Sequence, residues 1–165
     1  MGANGFYLAQ DGHLVQLLTP KDYQAGAISS LVCRMGKYNH ASIIISVGTA
    51  PRAAGIILVE SCNNMTPTTH TDIAFTYYQC ETAFAAAGGD VLSAAQVGPT
   101  TGLVPAAGTP NGVMYVIELD AAELVAGHIG FRISLADPVA ASVISAIAIL
   151  SGARYGMDQS PTVIA

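Results

Sequence analysis

Charged residues are scarce in this sequence. Asp, Glu, Lys and Arg make up 10% of its 165 residues, against about 25% in ordinary soluble domains. The sequence contains six Lys and Arg and eleven Asp and Glu, which gives a formal net charge of −5. The basic residues are spread along the chain, so we expect no basic patch and no binding to a nucleic-acid backbone. They are Lys21, Arg34, Lys37, Arg52, Arg132 and Arg154.

Long hydrophobic runs are also missing. The longest apolar stretch, residues 140–150, falls short of the roughly 20 residues that a membrane-spanning helix needs. The first twelve residues lack the basic start and apolar run of a secretion signal. We therefore expect that the chain does not associate with membranes and that it is synthesised in the cytoplasm.

Cysteine is present in an odd number and without paired spacing. The three residues, Cys33, Cys62 and Cys80, are far apart and form no CxxC motif. This pattern predicts buried, reduced thiols that act as small hydrophobic side chains. Such thiols suit a reducing cytosol.

Motifs for catalysis or cofactor binding are absent from the sequence. It contains no GxSxG, no phosphate-binding glycine loop and no HExxH. A metal site made of Cys62, His70 and Cys80 can be drawn, but a solvated loop beside two core thiols is the preferred interpretation. The four histidines, His13, His40, His70 and His128, share no helical metal spacing. We expect no catalytic, cofactor-binding or metal-binding residues, no cofactor, and no enzymatic activity.

Tryptophan is absent too, while tyrosine occurs seven times. Tyr77 and Tyr78 are adjacent on a predicted strand and should point to opposite faces. One is expected in the core and the other at the surface or an interface, so a sugar-stacking role is the minority interpretation.

Short apolar segments separated by turn residues make up most of the chain. They are rich in Ile, Val, Tyr, Phe and Thr, as strands are. Strands are predicted at 13–18, 27–35, 40–47, 55–61, 73–82, 113–119 and 129–135. The pattern predicts one all-β domain over residues 1–165, a jelly-roll-like antiparallel β-sandwich with an N-terminal arm at 1–12 and a C-terminal tail at 156–165.

Three segments do not follow the simple strand pattern. Residues 121–126 suit a short helix capped by Asp120 and Glu123 and ended by Gly127. Residues 137–152 fit a helix or a strand; we favour a strand, either in the interior of a sheet or facing a neighbour, with both faces apolar. Residues 97–112 are predicted to be a long loop.

The low charge has two explanations. Permanent protein interfaces are poor in charge, so much of the surface can be covered by other subunits. Alternatively, the surface is polar but uncharged, built from Ser, Thr, Asn and Gln. Under the first explanation the arm, the long loop and the tail are expected to help make the contacts.

Four stretches give the chain a family resemblance. They are YNHASIIISVG at 38–48, VESCNNMTPTTHTDIAFTYYQCET at 59–82, VMYVIELDAAEL at 113–124 and SAIAILSGARYG at 145–156. The sequence resembles the auxiliary capsid proteins of tailed bacteriophages, also called decoration or cement proteins. The resemblance implies a non-enzymatic virion protein that binds the major capsid protein on the capsid surface as a homo-oligomer, with a trimer favoured.

Two other classes stay open at this point. One is another structural part of a virion, such as a tail-tube, connector or fibre domain, for which residues 73–95 can supply a long hairpin. The other is a stand-alone carbohydrate-binding β-sandwich.

Overall fold

The computed structural model describes residues 8–23, 26–48, 56–80, 87–105, 111–137, 142–154 and 162. These residues form one short helix, α1, and eleven strands in two antiparallel sheets. The elements are α1 (Leu8–Asp11), β1 (His13–Asp22), β2 (Ile28–Ser29), β3 (Cys33–Arg34), β4 (Tyr38–Val47), β5 (Ile57–Cys62), β6 (His70–Ile73), β7 (Phe75–Gln79), β8 (Gln96–Gly98), β9 (Val113–Asp120), β10 (Gly130–Leu135) and β11 (Val143–Ala153).

The strand pairs are nested along the chain. The six-stranded sheet has the order β1-β11-β4-β9-β7-β8, and the five-stranded sheet has the order β2-β10-β5-β6, with β3 also paired to β10. Thus β1 pairs with β11, β2 and β3 with β10, β4 with β9, and β5 with β6. The strands β7 and β8 extend the first sheet beyond β9. This confirms the predicted all-β antiparallel sandwich.

One hydrophobic core fills the space between the sheets, because alternate side chains of each strand point inward. In β11, Ile144, Ala146, Ala148 and Leu150 are buried, as the strand interpretation of residues 137–152 predicts. This strand lies between β1 and β4, in the interior of its sheet. In β10, Phe131, Ile133 and Leu135 are buried on one face.

Two predicted strands are each divided in the structure. The segment predicted at 73–82 divides at Ala74: β6 ends at Ile73 in one sheet, and β7 begins at Phe75 in the other. Ile73 and Phe75 are both buried in the core, so the chain crosses between the sheets there. The segment predicted at 27–35 becomes β2 and β3, separated by a stretch in which Ser30 exchanges hydrogen bonds with the backbone of Ile133.

The predicted long loop at 97–112 is partly wrong. Val97 and Gly98 belong to β8, and Leu103 exchanges two backbone hydrogen bonds of 2.9 and 2.8 Å with Ile57. These bonds tie residues 97–105 to the sandwich, whereas residues 106–110 lie outside the described part. The short helix predicted at 121–126 is a 3-10 turn, Ala121–Glu123, and the Asp120 N–H donates to Glu123 Oε2 at 2.7 Å.

The described parts of the predicted arm and tail are tied to the domain. Leu8–Asp11 is one turn of helix rather than an extended arm, and the Gly12 N–H donates to Leu8 O at 3.0 Å. In the tail, Thr162 is buried, and its carbonyl accepts the Arg34 N–H at 3.1 Å. The predictions for residues 1–7, 156–161 and 163–165 fall outside the described residues. No helix in the described part of the chain is long and apolar enough to cross a membrane.

Candidate functional site

The solvent side of the six-stranded sheet, called here the outer face, is apolar at its centre. The register places Ile147 beside Ile44 and Ile44 beside Val116, and a second row places Leu14 beside Ile149. Leu14 is 48% exposed and Ile147 is 37% exposed, and the other three are half-buried. A contiguous exposed apolar surface of this kind is typical of a contact with another molecule.

The edges of the outer face extend this apolar character. Val143 is 40% exposed at one end of β11, and Val97 is exposed on β8 beside Thr76. Tyr78 is half-buried on the same side as Val116, whereas Tyr77 is buried and donates its hydroxyl to Gln96 Oε1 at 2.9 Å. The prediction that these two tyrosines separate into core and surface is confirmed.

Ionisable side chains on the outward positions of β4, β9 and β11 are confined to one end of the outer face. His40 Nδ1 lies 2.7 Å from Asp120 Oδ1, and His40 Nε2 lies 2.7 Å from Glu118 Oε2. Burial lowers the pKa of His40, but the hydrogen bonds to Asp120 and Glu118 outweigh it and raise the pKa above 6.5. Ionised carboxylates only accept hydrogen bonds, so this geometry favours the imidazolium, whose two N–H groups each reach one carboxylate.

The same cluster contains the residue types of a serine-nucleophile triad, with Ser42 beside His40 and Asp120. However, the Ser42 hydroxyl donates to Glu118 Oε2 at 2.6 Å and lies 3.4 Å from His40 Nε2. The doubly bound imidazolium has no lone pair to accept the serine proton, which a general base needs. The arrangement therefore favours an ion-paired network over a nucleophile.

Sequence analysis did not single out this cluster, because its members come from two strands nearly 80 residues apart. A usable signal was the i, i+2 spacing of His40 and Ser42, and of Glu118 and Asp120, which places each pair on one face of a strand. The pairing of β4 with β9 then brings the two pairs together.

A second charged cluster lies on the five-stranded sheet. Arg132 Nε donates to Glu60 Oε2 across the β5–β10 pair, and the Glu60 side chain is only 5% exposed. Glu60, His70 and Asp72 offer ligand atoms within 4.8 Å of one another. Because the Arg132 guanidinium already neutralises Glu60, the cluster is better suited to an ion pair than to a cation.

The cysteines are buried, as predicted. Cys62 and His70 are cross-strand partners, but Cys80 lies in the other sheet beside Met114. The three possible metal ligands named from the sequence are therefore not brought together. Burial raises the pKa of Cys33 to about 12, against a lowering by a hydrogen bond to Thr162. Burial also raises the pKa of Cys62, to about 11.

Three of the six basic residues line two adjoining clefts at one end of the sandwich, although they are spread along the sequence. Arg34 and Arg154 line a cleft of about 260 Å³, and Arg34 and Lys37 line an adjoining cleft of about 280 Å³. The residues are distant in sequence, but the pairing of Ala153 with Tyr38 joins the end of β11 to the turn after β3.

Comparison with known proteins gives no match to this chain among family models, curated protein sequences or solved structures.

Proposed function

We propose that this chain is a non-enzymatic structural subunit that binds a larger particle through its outer face. In its specific form the proposal is a decoration or cement protein on the capsid of a tailed bacteriophage, bound to the major capsid protein as a homo-oligomer, with a trimer favoured. The site of action is then the virion surface.

The observation that carries the proposal is the exposed apolar centre of the outer face. Ile44, Val116, Ile147 and Ile149 come from three neighbouring strands, and Leu14 extends the patch to a fourth. Covering apolar surface contributes roughly 25 cal/mol per Å² before the costs of association. A partner that covers this patch removes aliphatic surface from water and meets no charged group at its centre.

The charged end of the outer face supports the same proposal. His40 lies between Glu118 and Asp120, so the carboxylates are already hydrogen-bonded to a cation of their own chain. Burying a carboxylate without such a partner is expensive. This cluster can approach a partner surface at a lower cost than separate charges would incur.

The nesting of the strand pairs is consistent with the proposal, since it has the form expected of a jelly roll. Jelly rolls occur in viral capsid proteins, lectins and cupins. Fold alone therefore does not select the function, and the weight of the proposal rests on the outer face.

The proposal is tested with affinity-tagged chain expressed in its source cells and sedimented through a density gradient. Wild-type chain should sediment with particles far heavier than itself, and Ile147→Asp should remain at the top. Because Ile147 is 37% exposed, the aspartate stays hydrated in the free subunit, so the variant should fold.

The matched control is Leu31→Asp, which adds the same charge at an exposed aliphatic residue between β2 and β3 of the five-stranded sheet. It should sediment like the wild type. The proposal is contradicted if the wild type sediments as a free monomer, or if a panel of glycans binds a monomeric wild type and Ile147→Asp retains that binding.

A further inference from the structure

The basic clefts at the end of the sandwich concentrate positive charge in an acidic protein. Arg34, Lys37 and Arg154 account for half of the six Lys and Arg in a chain of net charge −5. Within the described residues, the Arg34 side chain makes no hydrogen bond or ion pair, although the chain has eleven acidic residues. An exposed guanidinium beside a cleft is available to a carboxylate from outside the chain.

Backbone hydrogen bonds fix the walls of the cleft between Arg34 and Arg154, which has a volume of about 260 Å³. The Met35 N–H donates to Ile129 O at 3.0 Å, and the His128 N–H donates to Val125 O at 2.9 Å. The Arg154 N–H donates to Lys37 O at 2.9 Å, and Arg154 Nε donates to Asn39 Oδ1 at 2.7 Å. The bond to Asn39 orients the guanidinium and leaves its terminal amino groups for a ligand.

A further polar group comes from His128. Ser61 Oγ accepts the Val125 N–H at 3.1 Å and lies 2.9 Å from His128 Nδ1. This contact fixes the orientation of the imidazole ring through Nδ1. His128 lines the cleft, so its ring adds a polar group beside the two arginines.

Two acidic side chains at this end of the described structure, Glu123 and Asp120, already have partners. The Glu123 carboxylate accepts the Asp120 N–H, and the Asp120 carboxylate is bound to His40. They reduce the local positive potential without occupying the guanidinium of Arg34 or the terminal groups of Arg154.

The shape of the clefts selects among anionic ligands. Met35, Leu124 and Ile129 give the cleft between Arg34 and Arg154 apolar walls, which suit an aliphatic side chain next to an anionic one. Each cleft is smaller than a typical small-molecule site of about 300–1,000 Å³. Three cations are also fewer than the roughly 6–10 phosphate contacts of a protein that binds DNA through its backbone.

We infer that these adjoining clefts bind an acidic peptide segment of a partner protein, with a Glu or Asp carboxylate held between Arg34 and Arg154 and a neighbouring aliphatic side chain against Leu124 and Ile129. This site is separate from the outer face, and the inference does not rest on the proposed structural function.

The test is an NMR titration of isotope-labelled full chain at low ionic strength with a blocked peptide of alternating Leu and Glu. The expected result is saturable shifts of the Gly36, Leu124 and Ile129 amides and of the arginine Nε–H signals. Arg34→Gln and Arg154→Gln should each weaken binding by about tenfold, the effect of one lost charge-assisted hydrogen bond. Each variant should keep the dispersed spectrum of the folded chain, since both side chains are exposed.

Three comparisons make the result decisive. The matching Leu and Gln peptide should give no saturable shifts. Lys21→Gln removes one charge at the opposite end of β11, where Lys21 pairs with Ile144, and should bind the Leu and Glu peptide like the wild type.

The third comparison replaces the peptide with inorganic phosphate or a short oligothymidylate. The inference is overturned if the Gln peptide binds equally well, if Lys21→Gln weakens binding as much as the arginine variants, or if only phosphate or the oligonucleotide shifts these residues. None of these outcomes bears on assembly through the outer face, because the isolated chain is titrated.

Discussion

His40 is the residue whose protonation should matter most to the outer face. Its raised pKa means that the ion pairs with Glu118 and Asp120 stabilise the fold fully below the unfolded pKa of about 6.5. This contribution is lost as the pH rises through the folded-state pKa. An NMR titration should place the midpoint of the His40 ring signals above 6.5.

The paired variant Glu118→Gln with Asp120→Asn provides the control for His40. It keeps the shape of both partners and removes their charges. The titration midpoint of the His40 ring should therefore fall to the value of an unperturbed histidine or below it. A wild-type midpoint below 6.5, or a midpoint that the paired variant leaves unchanged, contradicts the ion-paired network.

Buried thiols should make the native protein slow to modify. With pKa values of about 12 for Cys33 and about 11 for Cys62, the thiolate fraction at about pH 8 is on the order of one in a thousand or less. We expect slow reaction of these two thiols with a disulfide reagent in the native protein, and rapid reaction of three thiols after denaturation. Fewer than three thiols in the denatured protein, without reductant, would show an unexpected disulfide or modification.

At the residue scale, the sequence predicted which side chains are buried more readily than which residues contact each other. Alternation within β11 correctly places Ile144 and Leu150 inside because it depends only on the strand's own period. The contacts of His40 with Glu118, and of Arg34 with the cleft at Arg154, depend on which strands pair. That pairing is decided by the packing of the whole sandwich, which no local pattern encodes.

At the scale of elements, β3 is held close to β10 because residue 130 has no side chain. A Cβ added to Gly130 would lie 2.2 Å from the Cys33 carbonyl oxygen, so the backbones would have to separate. We expect Gly130→Ala to lower the free energy of unfolding by roughly 1–3 kcal/mol, as measured by denaturant titration. Gly36→Ala, where a Cβ meets nothing within 4 Å, should change it by less than about 0.5 kcal/mol; equal losses would refute the close approach.

The β5–β10 pair contains an ion pair between the buried Glu60 and the half-buried Arg132. Arg132→Met leaves the Glu60 carboxylate buried without its partner, which should cost about 3–5 kcal/mol of unfolding free energy. The double variant with Glu60→Met as well should recover most of the loss, because two apolar side chains then replace the pair. A double variant as unstable as Arg132→Met alone would mean that the arginine acts through packing rather than charge.

Strand existence was predictable at this scale, whereas strand ends and sheet changes were not. The Val and Ile enrichment of 143–150 correctly favoured a strand over a helix. The break at Ala74 could not be predicted, because no Gly, Pro, Asn or Asp marks a turn there. The chain changes sheets at this residue, and both Ile73 and Phe75 are buried in the core. The short β8 was missed because Gln96–Gly98 lies in a stretch rich in Gly, Pro and Thr.

At the scale of the whole molecule, the centre of the outer face is the part of the described surface where charged side chains are missing. The outward side chains of β11 are apolar or uncharged along the strand, and those of β4 and β9 are ionisable only at one end of the outer face. The sandwich could be predicted from the sequence, since it follows from strand periods and turns. Neither the outer face nor the basic clefts could be, because each is assembled from strands far apart in the chain.

The most direct test of the central claim is an electron cryomicroscopy reconstruction of the native particle that contains this chain, with the sandwich fitted as a rigid body. The account predicts that density from another subunit covers the outer face at Leu14, Ile44 and Ile147. It is contradicted if the chain is found as a free monomer, or if the fitted sandwich turns that face towards solvent while another surface makes the contact.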